Sequence, residues 1–173
     1  MNNKGFSLIE LIVIIAIMGV LVGGASLGIS LVFSKDASKC ATRLNDSIYD
    51  ARANSMYKAG KFKLSIDNTG SANTATISQT DLTPVTSDTI YLDGVDLSAK
   101  FVTEAVPAVK ELELPVTVTF DKSKGNVVYF YANGDRVYDD GIIVFDITPR
   151  RGNRTAKVQL VTTTGKHTIG EFE

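Results

Sequence analysis

Residues 4–33 read KGFSLIELIVIIAIMGVLVGGASLGISLVF, and Leu11 to Phe33 carry no charged side chain. Only Ser26 and Ser30 are polar in that run of 23 residues. As an α-helix rising about 1.5 Å per residue it spans roughly 34 Å, enough for a hydrocarbon core of roughly 30 Å. A helix on the edge of a soluble core keeps a polar face, and this one has none. A secretory signal peptide is the alternative reading, with Lys4 as its charged region and Gly23-Gly24-Ala25-Ser26 as cleavable small residues. Against it, the apolar run continues to Phe33, and Glu10 stands at its start. A carboxylate there is expensive in lipid, which marks it as functional.

The chain around this run has 173 residues, 18 Lys plus Arg, 19 Asp plus Glu and a formal net charge of −1. That balance excludes a wholly basic nucleic-acid coat and an acidic disordered chain. Apolar residues make up 44%, enough for a packed core. One cysteine, Cys40, excludes an internal disulfide framework, and one histidine, His167, excludes a site needing several imidazoles.

Residues 34–59 continue as an amphipathic helix. Ala37, Ala41, Leu44, Ile48 and Ala51 recur at three- and four-residue spacing, and Gly60 follows as a stop. Cys40 reads as a small core residue beside that stripe. After Gly60 the period changes to two: Phe62, Leu64 and Ile66 alternate with Lys61, Lys63 and Ser65. Further strands are predicted at 74–79, 89–92, 114–120, 126–131, 141–147, 156–163 and 166–169. Turn signals separate them at Asp67–Gly70, Asp93-Gly94, Asp121–Gly125 and Asn133-Gly134. Short strands with frequent turns predict an antiparallel sandwich or wrapped sheet.

The junction Lys4-Gly5-Phe6-Ser7-Leu8-Ile9-Glu10-Leu11 resembles the processing motif of type IV pilins and type II secretion pseudopilins. In that family a short basic leader ends in Gly, followed by Phe, a Thr/Ser-Leu-Ile/Val-Glu-Leu run and about twenty apolar residues. The resemblance implies that a prepilin peptidase cuts after Gly5, that Phe6 becomes the N-methylated mature N-terminus, and that Glu10 serves assembly. Phe6 and Glu10 are four apart and share a helix face, so Glu10 could meet its own Phe6 ammonium or a neighbouring subunit's. Gly19/Gly23 and Gly24/Gly28 are also four apart, a spacing that lets helices approach closely. The chain lacks the Pro that many major pilins carry near the position of Leu27, which favours a minor subunit. The carboxyl-terminal layout, paired strands ending in Thr164-Gly165 and a short closing strand, is similar to the GspH/FimT group of minor pilins and pseudopilins.

Other clusters are weaker. Asp135, Asp139 and Asp140 with Asn133 miss the spacing of a calcium loop and read as a solvated turn, and His167 reads as a strand-surface residue. Residues 148–173 hold five basic and two acidic residues, against five basic and twelve acidic in 81–147. Arg150, Arg151, Arg154 and Lys157 cluster around Gly152-Asn153 in an expected hairpin loop. They suit a solvated or subunit-contacting loop, or phosphate contact with DNA, for which FimT-like pilins of DNA-uptake systems are the family precedent.

The expectation is an α+β, pilin-like fold: a long N-terminal helix, half membrane span and half amphipathic, packed on an antiparallel β-sheet or sandwich. Residues 1–5 form the leader, 6–33 the transmembrane and filament-core helix, 34–60 the packing helix and 61–173 the β-rich domain. The expected function is a non-enzymatic filament subunit with no cofactor or metal. Its expected partners are prepilin peptidase, other pilin or pseudopilin subunits, the cytoplasmic membrane, an assembly platform and, as a further candidate, DNA. It would be a single-pass protein of the cytoplasmic membrane with its β-domain outside, then part of a cell-surface or periplasmic filament. A DNA-capturing minor pilin and a secreted soluble β-protein are the alternatives.

Overall fold

Helix α1 (Leu8–Tyr57) runs unbroken for 50 residues. The computed structural model describes residues 8–68, 72–103, 108–151 and 154–170, and the backbone alone at 22–35. No proline interrupts the helix, and its last third buries one stripe. Ala37, Ala41, Leu44, Ile48 and Ala51 are at most 1% exposed, the spacing expected from sequence, and Cys40 is buried beside them. Two serines complete the stripe. The hydroxyls of Ser47 and Ser55 donate to the carbonyls of Arg43 and Ala51 one turn back, so burial leaves neither unpaired. The helix ends at Tyr57, two residues before the expected limit, and the chain turns at Gly60 with φ +136°, a backbone conformation that side chains disfavour.

Eleven strands follow among the described residues: β1 (Phe62–Asp67), β2 (Asn73–Gln79), β3 (Thr86–Leu92), β4 (Val95–Thr103), β5 (Val109–Leu112), β6 (Val116–Phe120), β7 (Val127–Ala132), β8 (Asp135–Val137), β9 (Gly141–Pro149), β10 (Ala156–Val161) and β11 (His167–Gly170). They form two antiparallel sheets, ordered β3-β2-β1-β6-β7-β8 and β11-β10-β9-β4-β5. Alternation decides which face is buried: in β1, Phe62, Leu64 and Ile66 point inward, and in β10, Ala156, Val158 and Leu160 do. Phe101 of β4 meets Phe130 of β7 across the core with ring centroids 5.2 Å apart. Helix α1 packs against strands of both sheets.

The eight strands expected from the sequence are present, and β4, β5 and β8 are additional. Strand β4 has a period-two pattern, but its outward positions include Asp96 and Lys100. The charge is accommodated across the sheet: Lys100 Nζ lies 2.6 Å from Asp146 Oδ2 on β9, and that contact holds the Lys100 ammonium pKa above its usual value. Strand β8 is three residues long. It is created by a two-residue turn with Asn133 at φ 56° and Gly134 at φ 79°, the mirror-image hairpin turn that Asn-Gly favours.

Asp93-Gly94 closes no hairpin; it carries the chain from the first sheet into the second. Three side chains hold this corner. Buried Asn73 donates from Nδ2 to the carbonyls of Leu92 (3.4 Å) and Val95 (2.6 Å). From the helix, Arg43 donates to the Tyr91 carbonyl at 3.1 Å and the Cys40 thiol to the Asp93 carbonyl at 3.4 Å.

At the opposite end, Arg52 joins the two sheets. Its Nε donates to the Gly125 carbonyl (2.9 Å) in the β6–β7 turn, and its Nη2 to the Thr164 carbonyl (3.3 Å) in the β10–β11 turn. Asp121 shapes the first turn by accepting from the Ser123 amide, the Ser123 hydroxyl and the Lys124 amide. Those bonds, led by the Ser123 hydroxyl, lower its carboxyl pKa.

Two predictions follow from these contacts. Gly165 has φ +67°, and a Cβ there would run into the Gly125 carbonyl oxygen. Gly165→Ala is expected to destabilise the β-domain by about 3 kcal/mol, from left-handed strain and overpacking. Urea unfolding checks this, and a loss under about 1 kcal/mol would show that the two turns separate freely. Cys40 is 3% exposed, and burial is the main cause that raises its thiol pKa. It should resist alkylation in the folded chain and react fully in denaturant, as mass spectrometry would show.

Candidate functional site

The first turns of α1 form an exposed apolar stem. Leu8, Ile9, Leu11, Ile12, Val13, Ile14, Ile15, Ile17, Met18, Val20 and Leu21 range from 44% exposed at Ile14 to 78% at Leu8. The β-domain covers none of this surface, which is far more contiguous apolar area than a soluble monomer displays. Among the described residues no helix is long and apolar enough to cross a membrane. The second part of the expected span, 22–33, falls outside the described side chains, and with it the close-approach reading of Gly23, Gly24 and Gly28.

Glu10 occupies the first helical turn, as its acidic residue. Unpaired backbone amides give that end of a helix partial positive charge, so a carboxylate is favoured there. The Glu10 side chain is exposed on the stem. Gly5 and Phe6, the expected cleavage pair, lie outside the described residues, so the partner of the Phe6 amine does too.

The basic cluster is placed differently from its expectation. Residues 150–155 do connect the antiparallel pair β9–β10, and exposed Arg150, Arg151 and Arg154 belong to that connection. Lys157 does not: it is in β10, opposite Asp146 of β9 and Gly170 of β11, because the ladder starts at Ala156. Gly152 and Asn153 lie outside the described residues. Arg150 is anchored twice. Its amide donates to the Gly94 carbonyl (3.0 Å), and its Nε lies 3.1 Å from Asp96 Oδ1. That ion pair is exposed on both sides, so it contributes little to stability.

Among the described residues no group of three His, Cys, Asp or Glu could hold a metal ion. Cys40 touches the Asp93 corner, whereas His167 lies at the far end, near the Gly165 carbonyl and edge-on to the Tyr49 ring at 6.2 Å. His167 therefore packs on the helix rather than standing on an open strand face.

Sequence reading missed an aromatic cluster on β7–β8. The Arg136 guanidinium carbon is 3.5 Å from the Tyr129 ring centroid and 5.1 Å from that of Tyr138. Tyr131 is directly opposite Arg136 in the ladder. The alternation of Tyr129 and Tyr131 followed by Asn133-Gly134 is the signal that places Arg136 across from them. Cation–π stacking of this kind stabilises an exposed hairpin edge. Beside it, a cleft of about 260 Å³ opens between β5 and β8, lined by Phe101, Leu112, Val137 and Tyr138.

Comparison with known proteins bears on the stem. A family model described as the prokaryotic N-terminal methylation motif matches residues 1–26. No curated protein and no solved structure matches the chain. The motif implies processing by a prepilin peptidase and assembly with other pilin subunits. At its N-terminus this chain carries the prepilin-type processing signal of type IV pilins and pseudopilins.

Proposed function

We propose that the protein is a structural subunit, of the minor-pilin or pseudopilin kind, of a type IV pilus-like filament. One observation carries this reading: the processing signal continues into a single helix whose first part is an exposed apolar stem and whose last third is the core of a β-domain. A stem of this kind needs lipid or other copies of itself as solvent. Residues 6–33 serve as the membrane anchor before assembly and as the filament core afterwards, with the β-domain outside the cytoplasmic membrane.

Cleavage after Gly5 creates an ammonium on Phe6. Within lipid a lone Glu10 carboxylate is expensive, while one opposite an ammonium is much less so. In a stack of staggered helices, Glu10 of one subunit neutralises the Phe6 amine of the next. This pairing gives the filament its register, because apolar helix faces alone slide past one another with little change in energy.

Two variants test the reading. A side chain at residue 5 crowds the bond that the peptidase must reach, so Gly5→Val is expected to stay unprocessed. A mature chain beginning at Phe6 in that variant, found by mass spectrometry, would count against it. Glu10→Ala is expected to be processed, to remain in the membrane and to keep its β-domain folded. Its share in sheared filaments should fall more than about tenfold, since an amine left unpaired in an apolar core costs several kcal/mol. Equal incorporation of variant and parent would show that the carboxylate is dispensable or pairs only within its own chain.

A further inference from the structure

Arg150, the first residue after β9, lies at the end of the β-domain from which the apolar stem emerges. Its place is fixed by a short chain of contacts. The Arg150 amide bonds the Gly94 carbonyl at 3.0 Å, and a Cβ on Gly94 would lie 3.6 Å from the Asp36 carboxylate of helix α1. Cys40 and Arg43, one and two turns further along the helix, grip the same corner at Asp93 and Tyr91. Asp36 is three residues beyond Phe33, the last residue of the uncharged run. Three residues of helix rise about 4.5 Å. The headgroup layer outside the hydrocarbon is roughly 5–7 Å deep on each side. With residues 11–33 in the bilayer, the corner carrying Arg150 stands at headgroup level.

We infer that Arg150, Arg151 and Arg154 form a docking surface for the anionic phospholipid headgroups of the membrane that anchors the chain. The inference rests on the membrane-anchored reading above and adds a partner for the cluster. Guanidinium groups suit this partner, since their planar fork binds phosphate oxygens in pairs. Lys39 and Arg43 of the helix add positive charge at the same end, while Asp36, Asp93 and Asp96 oppose it. Glu171 and Glu173 follow β11 beyond the described residues. The Arg150–Asp96 pair is exposed, so its guanidinium can exchange that carboxylate for a phosphate. Each basic side chain near an anionic surface strengthens attachment about fivefold, so the cluster holds the β-domain upright on its stem. Extraction into a filament breaks these contacts.

DNA needs the same guanidinium groups on an accessible, outward surface. The corner's position beside the stem favours the membrane over a long duplex.

The test uses the full chain in vesicles with one probe thiol. Thr148, exposed on β9 opposite Asp96, is replaced by Cys and labelled with a fluorophore, while buried Cys40 stays unlabelled. Ser123, exposed in the turn at the other end of the domain, is the control site. Vesicles of phosphatidylcholine, with or without phosphatidylglycerol, carry a quencher on their headgroups. The label at Thr148 should be quenched, several-fold more strongly with phosphatidylglycerol, and the label at Ser123 hardly at all. The gain from phosphatidylglycerol should disappear in R150Q/R151Q/R154Q. A chain that does not float with vesicles overturns the anchor and this inference together. A chain that floats but shows Thr148 no nearer than Ser123, or a gain that survives the triple substitution, overturns the inference alone. Shielding of the Thr148 label by duplex DNA, without any response to phosphatidylglycerol, reassigns the cluster to nucleic acid.

Discussion

The structure depends on the burial of one helix stripe between two sheets. Ala37, Ala41, Leu44, Ile48 and Ala51 lose essentially all contact with water, and the inward faces of β1, β9 and β10 close over them. Small residues recur along this stripe. Alanines at 37, 41 and 51 let the sheets approach the helix backbone, while Leu44 and Ile48 are its large, fully buried side chains. The two sheets meet directly where Phe101 touches Phe130 and where Asn73 bonds the Val95 carbonyl, and the helix packs against strands of both. With the stripe removed, each sheet would present a wet apolar face, so the helix is an integral part of the β-domain's core.

Hydrogen bonds from that helix then fix both ends of the domain. At the stem end, Cys40 and Arg43 hold the chain where it passes from one sheet into the other, helped by Asn73. At the far end, Arg52 holds a turn from each sheet. These bonds reach main-chain carbonyls at strand ends and in turns, the places where a ladder gives way to a change of direction. The consequence for function is mechanical. A pull on the stem would reach both sheets at once, because helix α1 packs on both and bonds a turn of each.

One continuous helix thus meets two solvents. Its first turns expose apolar side chains all round, and its last turns bury one stripe while the opposite face stays exposed. The Gly94 corner, to which the Arg150 amide is bonded, meets the helix at Asp36. The Arg150–Asp96 ion pair at this corner is exposed on both sides and therefore weak.

The sequence by itself determined the stem, the buried helix stripe and eight of the strands. Each is a local pattern: an uncharged run, a three-to-four spacing, or an alternation closed by Gly and Asn turns. The processing junction was legible for the same reason, since its residues are consecutive. The pairing of strands distant in sequence, such as β1 with β6 and β4 with β9, the partition into two sheets and the meaning of Asp93-Gly94 were decided only in the tertiary structure. A turn signal states that the chain bends, not whether the next strand pairs with the last or leaves for another sheet. Strand β4 was hidden because Asp96 and Lys100 look unsuited to a strand until Asp146 is placed beside Lys100. Lys157 looked like a loop residue until the ladder from Ala156 took it into β10. Arg43, Arg52 and Asn73 had no signal in the sequence at all. Their partners are main-chain carbonyls between 19 and 112 residues away, and a carbonyl is the same at every position until the fold brings one within reach.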